Sequence, residues 1–231
     1  MTSDDEILIT EDFGHECDDK ASASTLGGSE SGPKRVSQVF QERMEAYKTK
    51  LMPTLSPQDQ AEFKNPQHLS EFSQDIFVNL KNEEDSKMVP ANYLQHVQTE
   101  IKDTSRAFLI EWIIDVHRKF RLTSQALYVA VFIIDQYLSK KHLAKTQLHL
   151  LGVATLLISS KYEEIYPPTL QDFLTVSENK FTKQTVLKME KDILTTLNFE
   201  ITAPTALDFL RRYKTLSATC DDEVYFFAQY L

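Results

Sequence analysis

Helical periodicity with almost no glycine is the feature that most limits how this chain can fold. Apolar residues recur every three or four positions, as at Leu109, Trp112 and Val116, and Gly152 is the only glycine after residue 32. We find no convincing apolar–polar alternation of the kind that indicates a strand, and prolines fall between the periodic segments. The sequence therefore predicts an all-α fold, a compact bundle of helices joined by short loops.

The segment 145–166 is apolar on nearly every side, which is typical of a helix at the centre of a bundle. Gly152 lowers its helix propensity by about 1 kcal/mol relative to alanine, so we expect a neighbouring helix to approach closely there. Pro167 and Pro168 end the segment.

The first 33 residues differ in composition from the rest. They hold four of the five glycines and nine acidic residues against one base, Lys20, so they account for −8 of the net charge of −9. This composition predicts a disordered acidic tail over residues 1–33, because it buries too little apolar surface to offset chain entropy. The near-neutral remainder disfavours a nucleic-acid groove, which needs clustered lysine and arginine.

Residues that carry catalysis or bind metals are missing or scattered. Cys17 and Cys220 give neither a disulfide framework nor a metal cluster, and the six histidines lack metal-ligand spacing. The N-terminus does not resemble a signal peptide, and the apolar run at 148–158 is shorter than the roughly 20 residues that span a bilayer. We expect a protein of the nucleus or cytoplasm that is not secreted, is not an enzyme and uses no cofactor, metal or membrane.

Three charged residues interrupt apolar stripes, and such conflicts tend to mark functional or strained positions. Asp135 faces the predicted core and needs a partner, because an unpaired buried charge costs several kcal/mol. Arg106 is the candidate, which predicts a buried structural pair. Glu190 fits either a salt bridge to Lys188 or Lys191 or the rim of an apolar interface.

Lys161 ends the most apolar helix and has two interpretations. A lysine at the C-terminal end of a helix is stabilised by the helix dipole by about 0.3–1 kcal/mol. Its stem can also lie on apolar surface while its ammonium donates to carbonyls of another chain. The residue pattern alone leaves both open.

Three segments resemble the A- and B-type cyclins. The run SRAFLIEWIIDVHRKFRL is similar to that family's M-R-A-I-L-x-D-W-L segment, and LHLLGVATLLISSKYEEIYPPTLQDFLTV is similar to its L-Q-L-x-G and S-K-Y-E-E-x-Y-P-P motifs. The run FTKQTVLKMEKDILTTLNFEITAPTALDFL resembles the helix that follows and the opening of the second repeat. The resemblance covers residues 69–231.

The family's fold is two repeats of a five-helix cyclin box, and the resemblance implies the following division. Residues 34–103 are an N-terminal extension with a helix near 69–82, residues 104–203 are the first cyclin box, and residues 204–231 begin a second box that we expect to be incomplete. The five helices of the first box are expected at about 104–120, 123–140, 145–164, 168–177 and 182–197.

The resemblance also implies a function. The family binds a cyclin-dependent Ser/Thr kinase and holds the kinase C-helix in its active position in cell-cycle control, without doing chemistry itself. The implied kinase-binding residues are a polar pair, Lys161 and Glu190, with the apolar residues Ile158, Tyr162, Leu194, Phe199, Ile201, Phe72 and Ile76. Arg106 and Asp135 match a buried structural pair of the family.

A substrate-docking patch is implied at Phe108, Leu109, Trp112, Asp115, Leu148 and His149. Ser105, Phe108 and His149 stand where the family has methionine, isoleucine and glutamine, so recruitment of Arg-x-Leu substrates or inhibitors stays open. The tail holds no Arg-x-x-Leu destruction box. Two alternatives remain, a cyclin-fold scaffold that does not activate a kinase and a DNA-binding transcription factor of cyclin fold, which the near-neutral charge disfavours.

Overall fold

The computed structural model describes residues 36–65, 67–217 and 221–230, and those ranges contain helices and no strand. The all-α prediction is confirmed. The predicted tail over residues 1–33 lies outside the described residues. The chain divides between Tyr47 and Lys48 into two compact units, and all contacts below belong to the second.

The described residues before Asp103 form four α-helices, and the third corresponds to the helix expected near 69–82. A 3₁₀ turn over Ser70–Phe72 leads into that helix, which continues to Lys87, five residues past the expected end. It ends there because the next residue is extended and Pro90 follows. The four helices are α1 (Val36–Leu51), α2 (Pro57–Glu62), α3 (Ser73–Lys87) and α4 (Tyr93–His96).

Five further helices occur where the first box was expected. They are α5 (Asp103–Phe120), α6 (Ser124–Lys140), α7 (Leu148–Glu163), α8 (Leu170–Val176) and α9 (Lys183–Thr196). Local signals define several starts. Thr123 and Thr182 accept hydrogen bonds from backbone N–H groups of the first turn, and Thr169 forms a capping box with Asp172.

Helix α7 is the centre of the core, as its composition predicts. Every residue from Leu150 to Ser160 is buried. The hydroxyls of Thr155, Ser159 and Ser160 donate to carbonyls three residues earlier in the helix, so burying them leaves no polar group unpaired.

The close helix approach expected at Gly152 is present. A Cβ atom placed on this glycine would lie 2.7 Å from Cδ1 of Leu109 and 3.4 Å from the Trp112 ring, both on α5. The absence of a side chain therefore lets α5 and α7 pack against each other.

Two helices follow the box, α10 (Ala206–Leu216) and α11 (Asp222–Tyr230). Arg212 on α10 forms a bidentate pair with Asp59 on α2, at 2.6 and 2.8 Å. Both side chains are largely buried, 14% and 5% exposed, and the sequence pattern did not indicate this pair.

The apolar and aromatic residues of α11 differ in exposure. Tyr225 is buried, whereas Val224, Phe226, Phe227 and Tyr230 are exposed.

Candidate functional site

The structure brings Lys161 and Glu190 together. Lys161 lies in the last turn of α7 and Glu190 in the middle of α9, and Nζ of the lysine is 2.7 Å from Oε1 of the glutamate. The lysine is 49% exposed and the glutamate 14%. The alternative that Glu190 pairs with Lys188 or Lys191 is wrong, because residues one or two apart on a helix do not face each other.

Two exposed aromatic side chains follow the members of this pair in the sequence, Tyr162 directly after Lys161 and Phe199 nine residues after Glu190. Tyr162 follows the lysine directly, is half exposed, and its hydroxyl is 2.7 Å from Oγ1 of Thr202. Phe199 is 70% exposed just beyond the end of α9. Leu194 and Ile201 are partly buried and pack against the core.

The backbone at Phe199 is in the left-handed region, with φ of 62°, and Asn198 before it has φ of 52°. The N–H of Phe199 donates to the carbonyl of Leu194 at 2.8 Å and so closes the end of α9. A left-handed conformation costs a residue other than glycine roughly 1–2 kcal/mol. The surrounding structure thus holds an exposed aromatic ring in a strained position, as functional sites often do.

Ile158 does not belong to this exposed surface, contrary to expectation. Its side chain is 4% exposed and is part of the hydrophobic core. The reason is that α7 is surrounded by other helices as far as Ser160, so only its last turn reaches the surface.

The C-terminal end of helix α3 is hydrogen-bonded to the same region. Lys87 donates from Nζ to the carbonyl of Thr202 at 2.6 Å, and its own carbonyl accepts from Gln136 at 2.6 Å. Thr202 therefore contacts both Lys87 and Tyr162. Phe72 and Ile76, the expected contacts on the N-terminal helix, are exposed nearer the other end of the helix.

The expected docking patch forms a groove of about 410 Å³ between α5 and α7. Phe108 is exposed on one side. Asp115 is exposed on α5, two turns beyond Phe108 on the same side of the helix, and is not among the residues that line the groove. The lining residues are Thr104, Ser105, Phe108, Leu109, Trp112, Lys145, Leu148 and His149.

His149 packs edge-on against Trp112, with ring centroids 4.4 Å apart. Its Nε2 atom is buried without a hydrogen-bond partner. Burial and the charge of Lys180 lower the pKa of His149, so the ring is neutral near pH 7.

Arg106 and Asp135 form the expected pair, with two hydrogen bonds of 2.6 and 2.7 Å. The side chains are 30% and 19% exposed, so the pair is half-buried rather than buried. Tyr93 on α4 donates a third hydrogen bond to Asp135 at 2.6 Å. Sequence reasoning missed Tyr93 because it lies outside the periodic helices.

The parts of the chain that the structure describes contain no group of three His, Cys, Asp or Glu residues placed to hold a metal ion. None of their helices is both long and apolar enough to cross a membrane.

Comparison with known proteins gives a consistent result. The model of the cyclin N-terminal domain matches residues 75–202. The chain is 38% identical over 167 residues to a G2/mitotic-specific cyclin-B of Arbacia punctulata, covering 72% of this chain and 41% of that protein. It is 40% identical over 158 residues to cyclin-A1-4 of Oryza sativa subsp. japonica, covering 68% of this chain and 44% of that protein.

Among solved structures, a viral cyclin from herpesvirus saimiri aligns with a TM-score of 0.56 at 28% identity, covering 65% of this chain and 66% of that chain. The chain spans less than half the length of the two curated relatives described above.

Proposed function

The chain belongs to the cyclin family and has its fold, and from that premise we propose that it binds and activates a cyclin-dependent Ser/Thr kinase. In this proposal it is a regulatory subunit in cell-cycle control, present in the nucleus or cytoplasm, and the kinase carries out the chemistry. The observation that carries the proposal is the half-exposed Lys161 at the end of α7, held by Glu190 and followed directly by the exposed Tyr162.

The geometry of the ion pair suits a lysine that binds a partner's backbone. An ammonium group has three donors, and the one contact to Glu190 leaves two for carbonyls at the end of a kinase helix. Glu190 is mostly covered, so it fixes the direction of the lysine while being less accessible itself. We propose that Lys161 binds the kinase directly and that Glu190 orients it.

The neighbouring apolar residues suit recognition of a helix. Tyr162 and Phe199 are exposed, whereas Leu194 and Ile201 are partly buried. An amphipathic helix is commonly bound by laying its apolar face on such a surface. We propose that these four residues receive the kinase C-helix and that Phe72 and Ile76 extend the contact.

Activation follows from differential binding. A kinase with its C-helix displaced lacks the assembled Lys–Glu pair that catalysis needs. A subunit that binds the active position more tightly shifts the population by its difference in affinity for the two positions. The groove at Trp112 is our proposed site for Arg-x-Leu segments of substrates or inhibitors, because it is open and partly apolar.

Reconstitution with a purified cyclin-dependent kinase tests the proposal by histone phosphorylation. We expect the wild-type chain to activate the kinase and the double variant Lys161→Ala, Glu190→Ala to lose at least about tenfold in apparent kinase affinity, since it removes a charge-assisted contact. A matched control is Lys214→Ala, Asp222→Ala, which removes another exposed ion pair, between α10 and α11.

Equal activation by wild type and the Lys161 variant would contradict the interface assignment. Binding of the kinase without activation, or a soluble chain that captures no kinase, would favour the alternative, a cyclin-fold scaffold or fragment that does not switch a kinase on.

A further inference from the structure

A second groove lies apart from the Lys161 and Trp112 regions, between α6, the start of α7 and α9. Its volume is about 690 Å³. We call it the lysine groove. It is lined by Lys141, Lys188 and Lys191, with Leu143, Leu150 and Met189 as its apolar lining.

The groove is electropositive although the whole chain has a formal net charge of −9. Three lysines line it against one carboxylate, Asp192. Lys188 and Lys191 are exposed on α9, and neither makes an ion pair within the part of the chain that the structure describes. Their charges are therefore available to a ligand.

Asp192 is already neutralised. It accepts hydrogen bonds from Lys141 at 2.6 and 2.7 Å and from Tyr137 at 2.6 Å. Burial alone would raise the pKa of Asp192, but these hydrogen bonds, together with the charges of Lys141 and Lys188, outweigh it and hold the pKa below its ordinary value. The carboxylate thus stays ionised near neutral pH and fixes Lys141, which leaves the two lysines of α9 as the net charge of the groove.

The size of the groove fits a short extended peptide. Its lining on α9 runs from Thr185 to Thr195, which is about 15 Å along the helix axis. An extended chain advances about 3.3 Å per residue, so four or five residues cover this length.

We propose that the lysine groove binds a short acidic segment of a partner protein. Carboxylates of the segment pair with Lys188 and Lys191, and one or two apolar side chains lie over Leu143, Leu150 and Met189. Charge complementarity of this kind sets the choice of partner and the association rate.

Other charged ligands suit the groove less well. Single-stranded nucleic acid is usually bound by stacking bases on exposed aromatic rings, but Tyr137, the aromatic residue of the lining, is 1% exposed. A membrane surface requires a protruding or flat basic face rather than a concave one with an apolar lining.

The test uses a displayed library of random short peptides selected against the full chain without kinase, so its outcome is independent of kinase activation. We expect enrichment of acidic peptides that contain leucine or isoleucine. Selected peptides should bind the double variant Lys188→Glu, Lys191→Glu about tenfold more weakly, because two favourable charge pairs become repulsive. The matched control, Lys102→Glu, Lys119→Glu, makes the same change of charge on two exposed lysines, one just before α5 and one in its last turn.

Three results would overturn the proposal. These are no enrichment of acidic peptides, equal binding of the selected peptides by the Lys188→Glu, Lys191→Glu variant, or an equal loss in the control. Tighter binding of oligothymidylate or of phosphatidylserine vesicles with the same dependence on the two lysines would replace the peptide with that ligand. Circular dichroism of both variants verifies that they are folded.

Discussion

At the scale of single residues, Asp135 shows how a charged side chain on an apolar stripe can connect several helices. The carboxylate accepts three hydrogen bonds, two from Arg106 and one from Tyr93, and so joins α6 to α5 and α4. The sequence indicated the charge because Asp135 interrupts an apolar stripe, and it indicated the partner because Arg106 lies just before an apolar run. Tyr93 gave no such signal, since an aromatic residue in a short irregular segment fits many environments.

Removing the arginine should cost more stability than removing the tyrosine hydroxyl. We expect Arg106→Ala to lower the free energy of unfolding by about 2–3 kcal/mol, since a half-buried carboxylate loses its ionic partner. We expect Tyr93→Phe to lower it by about 1 kcal/mol, the usual contribution of one hydrogen bond. Urea unfolding followed by circular dichroism measures both, and equal losses would contradict the dominant role given to Arg106.

At the scale of elements, the packing of α7 decides which residues reach the surface. Caps and periodicity are local, so the five helices of the box were predictable, and Thr123 and Thr182 define two of their starts. The burial of Ile158 could not be predicted, because a helix that is apolar on all sides has no apolar stripe to show which side faces the core. The pairing of Lys161 with Glu190 followed only from family resemblance.

The contact at Gly152 predicts that the effect of Gly152→Ala on stability depends on the side chain at position 109. Gly152→Ala should destabilise the protein by about 1 kcal/mol, because a new methyl group meets buried Leu109 and overpacking outweighs the gain in helix propensity. In a Leu109→Ala background the same change should become neutral or stabilising. A double-mutant cycle of unfolding free energies measures this, and additive effects would show that Leu109 does not limit the site.

At the scale of the whole molecule, Asp59 and Arg212 join residues 153 positions apart in sequence. This pair holds α2 of the N-terminal extension against α10, after the box. Neither residue interrupts a strong stripe, and a contact over this separation has no local signature, so it could not be predicted. The Arg212 guanidinium holds the pKa of Asp59 below its ordinary value of 3.8, against the opposing effect of burial.

The lowered pKa of Asp59 predicts acid sensitivity. A carboxylate with a depressed pKa stabilises the fold above its unfolded pKa, and that contribution is lost as the pH falls through the folded value. We expect Arg212→Gln to lower the free energy of unfolding by about 3 kcal/mol near pH 7. The gap to wild type should narrow as the pH falls below about 3.8. Thermal unfolding across this range measures the gap, and a constant gap would show that the pair does not titrate.

The left-handed backbone at Phe199 has a consequence for how this position can evolve. Among the coded amino acids only glycine adopts such a φ without steric cost, and glycine has no ring to expose. No single codon change can therefore keep the aromatic group and relax the main chain together. We therefore expect a substitution by glycine at this position to relax the backbone at the expense of the exposed ring.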